Sequence, residues 1–339
     1  MAPITSCYVS SHISPQGPGD ARPTAIQVIQ DEGLVDKWTG KTVLVTGAND
    51  TTGLETARAL HLTGARTFLT TRSAEKGAVA VRSIIDSNGG EKAGVEAITM
   101  ELGDLSSVRN AAKEFMSRSE SLNVLVCNAG VLAQEFGRTK DNFEMDFGVN
   151  HVGHFALFQE LKQCLISSST DSFNSRVVMV ASIGHRMSEI YFDDPNFDHR
   201  SWDVISAYGQ SKTANIYMAN YIDRTYGTQG LHAWSLQPGG IISNLVGKSE
   251  EVKQAMISNS EILPWLKTPQ QGAATSVWAA IARDLEGKGG RYLESMQEIG
   301  EWQGPEEKRV DWTDPGYASH AYDKEKEDKL WAMSEKLIC

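Results

Sequence analysis

No stretch of about 18 consecutive apolar residues occurs in the 339-residue chain, so no membrane-spanning helix is expected. A surplus of basic residues is equally missing. Lys and Arg number 32 against 43 Asp and Glu, a net charge of −11. That balance argues against a nucleic-acid surface, because a phosphate backbone demands a basic face. Cysteine is scarce: Cys7, Cys127, Cys164 and Cys339 stand at no metal-ligand spacing. This predicts no metal site and fits a reducing compartment. The N-terminus has no basic segment followed by an apolar block and does not read as a signal peptide. The expectation is a soluble cytoplasmic protein.

What is present is a regular alternation. Residues 15–23 (PQGPGDARP) are rich in Pro and Gly and read as a loose arm, so 1–23 is taken as flexible. Residues 24–40 form a short helical lead-in, with Thr24 placed to cap a helix through Ile29. Strand patterns follow at 42–45, 66–70, 95–100, 122–127, 177–180, 231–236 and 291–293. Helical patterns occupy 54–62, 75–87, 143–165, 206–226 and 270–283. Short apolar strands alternating with amphipathic helices predict an α/β fold, a single doubly wound parallel sheet with helices on both faces, over 41–300. Residues 244–265 fall outside the pattern and read as a lid over a pocket. Residues 301–339 form an acidic extension expected to pack on the domain, its carboxylates making a solvated surface.

Chemistry concentrates at the ends of the strand patterns. The first strand runs into Thr46-Gly47-Ala48-Asn49-Asp50-Thr51-Thr52-Gly53 and then a helix. Glycines at a strand-to-helix turn let the backbone approach a pyrophosphate at a helix N-terminus. Tyr208 and Lys212 stand four apart on a predicted helix, so they share a face. A free Tyr ionises near pH 10, and a neighbouring ammonium stabilises its phenolate. Ser182 follows the fifth strand, at the carboxyl edge where open α/β sheets bind ligands. His151 and His154 have no third ligand and read as helix packing. Asp193, Asp194 and Asp198 read as a solvated turn, while His185, Met187, Trp202 and Trp265 are pocket candidates.

These segments together resemble the short-chain dehydrogenase/reductase family. Thr46, Gly47 and Gly53 match its TGxxxGxG loop, with Thr51 in place of the middle glycine. Either Thr51 crowds a phosphate or its hydroxyl donates to one, and Asn49 and Thr52 add donors. Asn128-Ala129-Gly130 is similar to the NAG motif, Asp104-Leu105 to the adenine-holding pair, and Pro238-Gly239 with Ser243 to the nicotinamide turn. Asn150 lies in a segment, FGVNHVGHF, similar to the family's Asn-bearing helix. The Ser182–Tyr208 spacing and the HAYD…LW run at 320–331 look like retinol-dehydrogenase-like and TIC32-like members.

The resemblance implies a Rossmann fold and hydride transfer between a nicotinamide cofactor and a carbonyl or alcohol. It implies that Ser182 and Tyr208 bind the substrate oxygen, Tyr208 being the acid-base group. Lys212 would hold the nicotinamide ribose as well, and Asn150 would anchor a water. Relatives that use NAD carry an acid at the end of the second strand. This chain carries Arg72 there and Lys76 nearby, which points to the 2'-phosphate of NADP(H), with NAD(H) second. Relatives that pair through their long helices make a homodimer one expected assembly. Two other readings stay open: non-redox chemistry (isomerase, epimerase or dehydratase) and a non-enzymatic cofactor-sensing scaffold.

Overall fold

The computed structural model describes residues 3–89, 94–242, 250–305, 308, 309, 311 and 313–339. Ser243 and 244–249 lie outside them. The strands are β1 (Thr42–Thr46), β2 (Arg66–Thr71), β3 (Val95–Thr99), β4 (Val124–Cys127), β5 (Ser175–Val180) and β6 (Leu231–Gln237). Then come the short β7 (Gly240–Ile241) and β8 (Leu266–Lys267), and finally β9 (Arg291–Glu294) and β10 (Gln297–Glu298). Eight of these form one sheet in the order β10-β9-β6-β5-β4-β1-β2-β3, parallel except for β10. This is the Rossmann-type doubly wound sheet.

Residue alternation along the strands builds two cores. Leu44, Phe68, Leu125 and Val177 face one layer, while Val43, Val45, Val124 and Val126 face the other. The second layer holds α1 (Ala25–Asp31), α2 (Thr51–Leu62) and α3 (Ala74–Ser87). The first holds α4 (Leu105–Arg118), the helix that begins at α5 (Met145–Phe147) and runs on as α6 (Gly153–Ser167), and α7 (Val204–Tyr226). α8 (Glu250–Ser258), α9 (Pro269–Gly272), α10 (Ala274–Ile281) and α11 (Lys324–Leu337) complete the chain. From β1 the chain winds outward through β2 and β3, then crosses to β4 on the other side of β1. That reversal opens a crevice at the carboxyl ends of β1 and β4, where such sheets bind ligands.

Several local readings change. Helix α4 has no counterpart in the sequence reading; its start is capped by Asp104, which accepts from Ser106 and Ser107 backbone N–H. The 143–165 helix contains a π-turn, Gly148–Val152, and π-turns collect at functional sites. The arm at 15–23 is anchored, not loose: Arg22 is only 3% exposed, and its guanidinium satisfies backbone carbonyls. The acidic tail is not uniformly solvated either, since Glu327 is buried and accepts from Asn220 Nδ2 at 2.9 Å. α11 covers the outer faces of α6 and α7. Trp331 stacks on Tyr221 at 4.0 Å and meets Phe155 edge-on, and Ser334 Oγ pairs with His151 Nε2. No helix among the described residues is long and apolar enough to cross a membrane.

Candidate active site

A cleft of about 1360 Å³ runs across the carboxyl ends of the strands. Ser182, Tyr208 and Lys212 line it together with Pro238 and Gly239. Ser182 sits just past β5 and caps the following turn, its Oγ accepting from Gly184 N at 3.1 Å. Tyr208 and Lys212 project from one face of α7, with Lys212 Nζ 5.5 Å from the Tyr208 ring centre. Lys212 Nζ donates to Val180 O at 3.1 Å, which fixes it at the end of β5. Burial pushes the Lys212 pKa down to about 8, while the Asp146 carboxylate pulls it back up. Burial raises the Tyr208 phenol to about 12, against the opposing pull of the Ser182 hydroxyl.

Asn150 sits in the π-turn and is fully buried. Its Oδ1 accepts from Val131 N at 2.7 Å, and its Nδ2 donates to Val131 O and to Ser211 Oγ. Both amide hydrogens are engaged, so the side chain braces the end of β4 against α7. Gly130 completes the junction: a Cβ there would stand 3.3 Å from both Asn150 Oδ1 and Lys212 Nζ. Ser182, Tyr208 and Lys212 therefore meet at one end of one cleft, whereas Asn150 is buried behind its wall.

A family model for short chain dehydrogenases matches residues 41–254, which contain all four. The chain belongs to the short-chain dehydrogenase family. It is 42% identical over 332 residues to the Penicillium roqueforti protein named short-chain dehydrogenase/reductase prx1, covering 98% of this chain and 94% of that one. Mouse retinol dehydrogenase 11 is 34% identical over 76% of this chain and 78% of its own, which places the chain with the retinol-dehydrogenase-like branch. The Pseudomonas aeruginosa RhlG/NADP active-site complex superposes with a TM-score of 0.60 at 21% identity, over 76% of this chain and 95% of that one.

In this short-chain dehydrogenase the 47–53 end of the cleft is built by close backbone approach. Gly47 has φ +62, and a Cβ on it would lie 2.8 Å from Ala129 Cβ. A Cβ on Gly53 would lie 2.5 Å from Gly47 O. Gly53 is thus buried under the loop, whereas Gly47, Asn49, Thr51 and Thr52 are on the cleft wall. Thr46 Oγ1 accepts from Asn128 N and Ala129 N, and Asn128 Nδ2 donates to Thr46 O, locking the two strand ends together. Asn128, Ala129 and Gly130 line the cleft. Thr52 Oγ1 already donates to Asn128 Oδ1 at 3.2 Å. Thr51 adopts φ +44, a left-handed backbone that β-branched residues resist. Asp50 caps α2, its carboxylate accepting from Thr51 N at 2.7 Å.

At the far end, Arg72 and Lys76 line the cleft, exposed and with no ion-pair partner among the described residues. Asp104 lines it too, paired with Lys140 Nζ at 2.5 Å. Leu105 does not; its side chain is in the core. Ser243 lies outside the described residues. A long cleft with glycine-permitted approach at its centre and cations at one end fits an extended dinucleotide.

Other candidates sort differently. Met187 lines the cleft, but His185 is buried behind Ser182, bonding Ser182 O through Nδ1 and accepting from Ala318 N. Trp202 and Trp265 are not on the cleft wall; Trp202 Nε1 donates to Glu144. None of the described residues of 250–265 lines the cleft, so they form no lid over it. His151 and His154 are buried, and burial lowers them to about 3 and about 4, so both are neutral near pH 7. His154 bridges Thr46 Oγ1 and Asn150 O, tying the cofactor loop to the π-turn. Asp194 is no solvated turn residue: it is buried and accepts from Asp198 N, His199 N and Arg200 Nε. Asp146 went unnoticed in the sequence. It is fully buried, accepts from Ala133 N, and burial raises its carboxyl to about 7. The signal was a pair of carboxylates, Glu144 and Asp146, set between the apolar residues of Phe143–Phe147.

Proposed function

We propose that this short-chain dehydrogenase is an NADP(H)-dependent oxidoreductase that interconverts a ketone or aldehyde and the corresponding alcohol. The observation that carries the reading is the meeting of Ser182, Tyr208 and Lys212 beside Pro238–Gly239, with Arg72 and Lys76 on the wall of the same cleft at its other end. The nicotinamide, when bound, supplies or accepts the hydride. Ser182 and Tyr208 hold the substrate oxygen. Tyr208 is protonated at neutral pH because burial holds its pKa near 12, so it is ready to give its proton to that oxygen in reduction. In oxidation it takes the proton back, and the Lys212 ammonium stabilises the phenolate that acts as base. The bond to Val180 O holds Lys212 in place, and the missing side chain at Gly130 leaves room for it.

Arg72 and Lys76 favour the 2'-phosphate, because both are free to pair with it and no acid stands there to hold a ribose hydroxyl. The RhlG neighbour is a complex with NADP, which agrees with that choice. Cytoplasmic residence is supported by four free cysteines, which a reducing compartment maintains. A second reading, a scaffold that senses cofactor weakly, draws on Asp50 and Thr51, which put a carboxylate and a strained residue at the phosphate loop. Titrating the protein with NADPH and NADH while following nicotinamide fluorescence separates the two. Tight NADPH binding with weaker NADH binding is expected, and no response to either would favour the scaffold.

A further inference from the structure

The N-terminal arm lies outside the 41–254 segment that the family model matches, yet its buried Arg22 ties it to the segment that packs behind the cleft wall. Arg22 is the hub. Its Nη2 donates to Gly17 O at 3.0 Å, Pro264 O at 3.2 Å and Leu266 O at 2.6 Å, and its Nη1 donates to Trp265 O at 3.1 Å. Its Nε pairs with Asp20 Oδ1 at 2.8 Å. One guanidinium therefore gathers three consecutive carbonyls, from the 3-10 turn Leu263–Trp265 and the first residue of β8, just before Lys267. A buried cation with this many partners fixes geometry, because each lost bond would leave a desolvated donor.

Lys267 carries that geometry to the cleft. β8 pairs with β7, with Leu266 opposite Gly240 and Lys267 opposite Ile241. Lys267 is buried, and its Nζ donates to Pro238 O at 3.2 Å. A Cβ on Gly239 would lie 2.9 Å from the Lys267 side chain, so the two are packed without a gap. Pro238, Gly239, Gly240 and Ile241 are all cleft wall. A second route runs through Gln271, also buried. Its Oε1 accepts from Gly19 N at 2.9 Å, and its Nε2 donates to Asp20 Oδ1 and to Arg22 O. A Cβ on its neighbour Gly272 would sit 2.6 Å from Ile241 and 2.9 Å from Thr52 of the phosphate loop.

We infer that Arg22 and Lys267 are positioning residues for the nicotinamide half of the dinucleotide site, with the N-terminal arm as the brace. The inference rests on the cofactor reading above. The adenosine half is set by Arg72, Lys76 and Asp104, which the arm residues named above do not contact, so the two halves should respond differently when the brace is cut.

The test uses the full chain with Arg22→Met and, separately, Lys267→Met. For each, the dissociation constant is measured for the dinucleotide that wild type prefers and for its adenosine-side fragment (2',5'-ADP for NADPH, ADP for NADH). Each variant should lose about ten-fold or more in dinucleotide affinity while binding the fragment within about two-fold of wild type. Equal losses on both ligands would mean general loosening and would overturn the inference. So would unchanged dinucleotide affinity. If Arg22→Met does not fold, Lys267→Met decides alone, since it removes one ammonium and keeps the chain path. Wild type binding neither dinucleotide would sink the cofactor reading and this inference together. Wild type binding normally, with variants that fail to discriminate, sinks this inference only.

Discussion

The ring of Tyr208 rests on Gly184: a Cβ on Gly184 would lie 2.7 Å from Tyr208 Cε1 and 2.8 Å from Cδ1. The turn that presents Ser182 and the helix that presents Tyr208 are therefore set against each other through a position with no side chain. Gly184→Ala should push the Tyr208 ring off its seat and lower turnover by orders of magnitude, as Tyr208→Phe should by removing the proton itself. Both variants should still bind NADPH, because neither touches the phosphate loop. Steady-state turnover beside NADPH fluorescence titration checks this. A fully active Tyr208→Phe protein would remove Tyr208 as the acid.

Much of this was legible in the chain. Strand and helix alternation predicts the doubly wound sheet because parallel strands buried on both faces read as apolar runs. Ser182, Tyr208 and Lys212 were legible because each follows or sits on a recognisable element at a spacing its chemistry requires. What was not legible depends on long-range partners. Arg22 looks like part of a loose Pro- and Gly-rich arm until the carbonyls of Pro264, Trp265 and Leu266 arrive from the other end of the sequence. Asp194 and Glu327 look like surface carboxylates for the same reason. α4 begins at a site already read as a cofactor motif, and one Asp serves there as helix cap and cleft wall.

Arg72 should decide cofactor choice. A charge-assisted contact to a 2'-phosphate is worth about 1.5–3 kcal/mol. Arg72→Ala should therefore weaken NADPH binding by roughly ten-fold to a hundred-fold and leave NADH binding nearly unchanged. The ratio of the two dissociation constants is the readout, and equal losses would mean that Arg72 does not read the phosphate.

The Asp146–Lys212 relationship gives a pH signature. Lys212 titrates near 8 in the fold, against about 10.4 for an unperturbed lysine. Its charge, and the catalysis that needs it, should fall as pH rises through about 8. Over the window between those values the unfolded chain holds the extra proton, so the Lys212 contribution to stability rises with pH. The Asp146 carboxylate raises the Lys212 pKa. Asp146→Asn should move the alkaline limb of the turnover profile to lower pH, by about one unit. Profiles of both proteins between pH 6 and pH 10 test it, and a limb that stays in place would show that Asp146 does not act on Lys212.

Thr51 separates two effects that usually travel together. Its φ of +44 stores strain, of order 1–3 kcal/mol for a non-glycine residue in the left-handed region. Glycine at this position would relieve that strain and lose only about 0.4–1 kcal/mol through a more flexible unfolded chain. Thr51→Gly should therefore leave the apo protein as stable or more stable, with a melting temperature higher by roughly 2 °C. Cofactor affinity should move the other way. The Thr52 hydroxyl is already engaged with Asn128, whereas the Thr51 hydroxyl, on the cleft wall, has no hydrogen-bond partner among the described residues, and on the proposed reading it donates to a phosphate oxygen. Removing it should cost about 1 kcal/mol of NADPH binding, close to five-fold. Thermal melts and NADPH titrations on the same two proteins read the two signs separately. Tighter NADPH binding in the glycine variant would mean that Thr51 only crowds the pyrophosphate, and that the loop works in spite of its side chain.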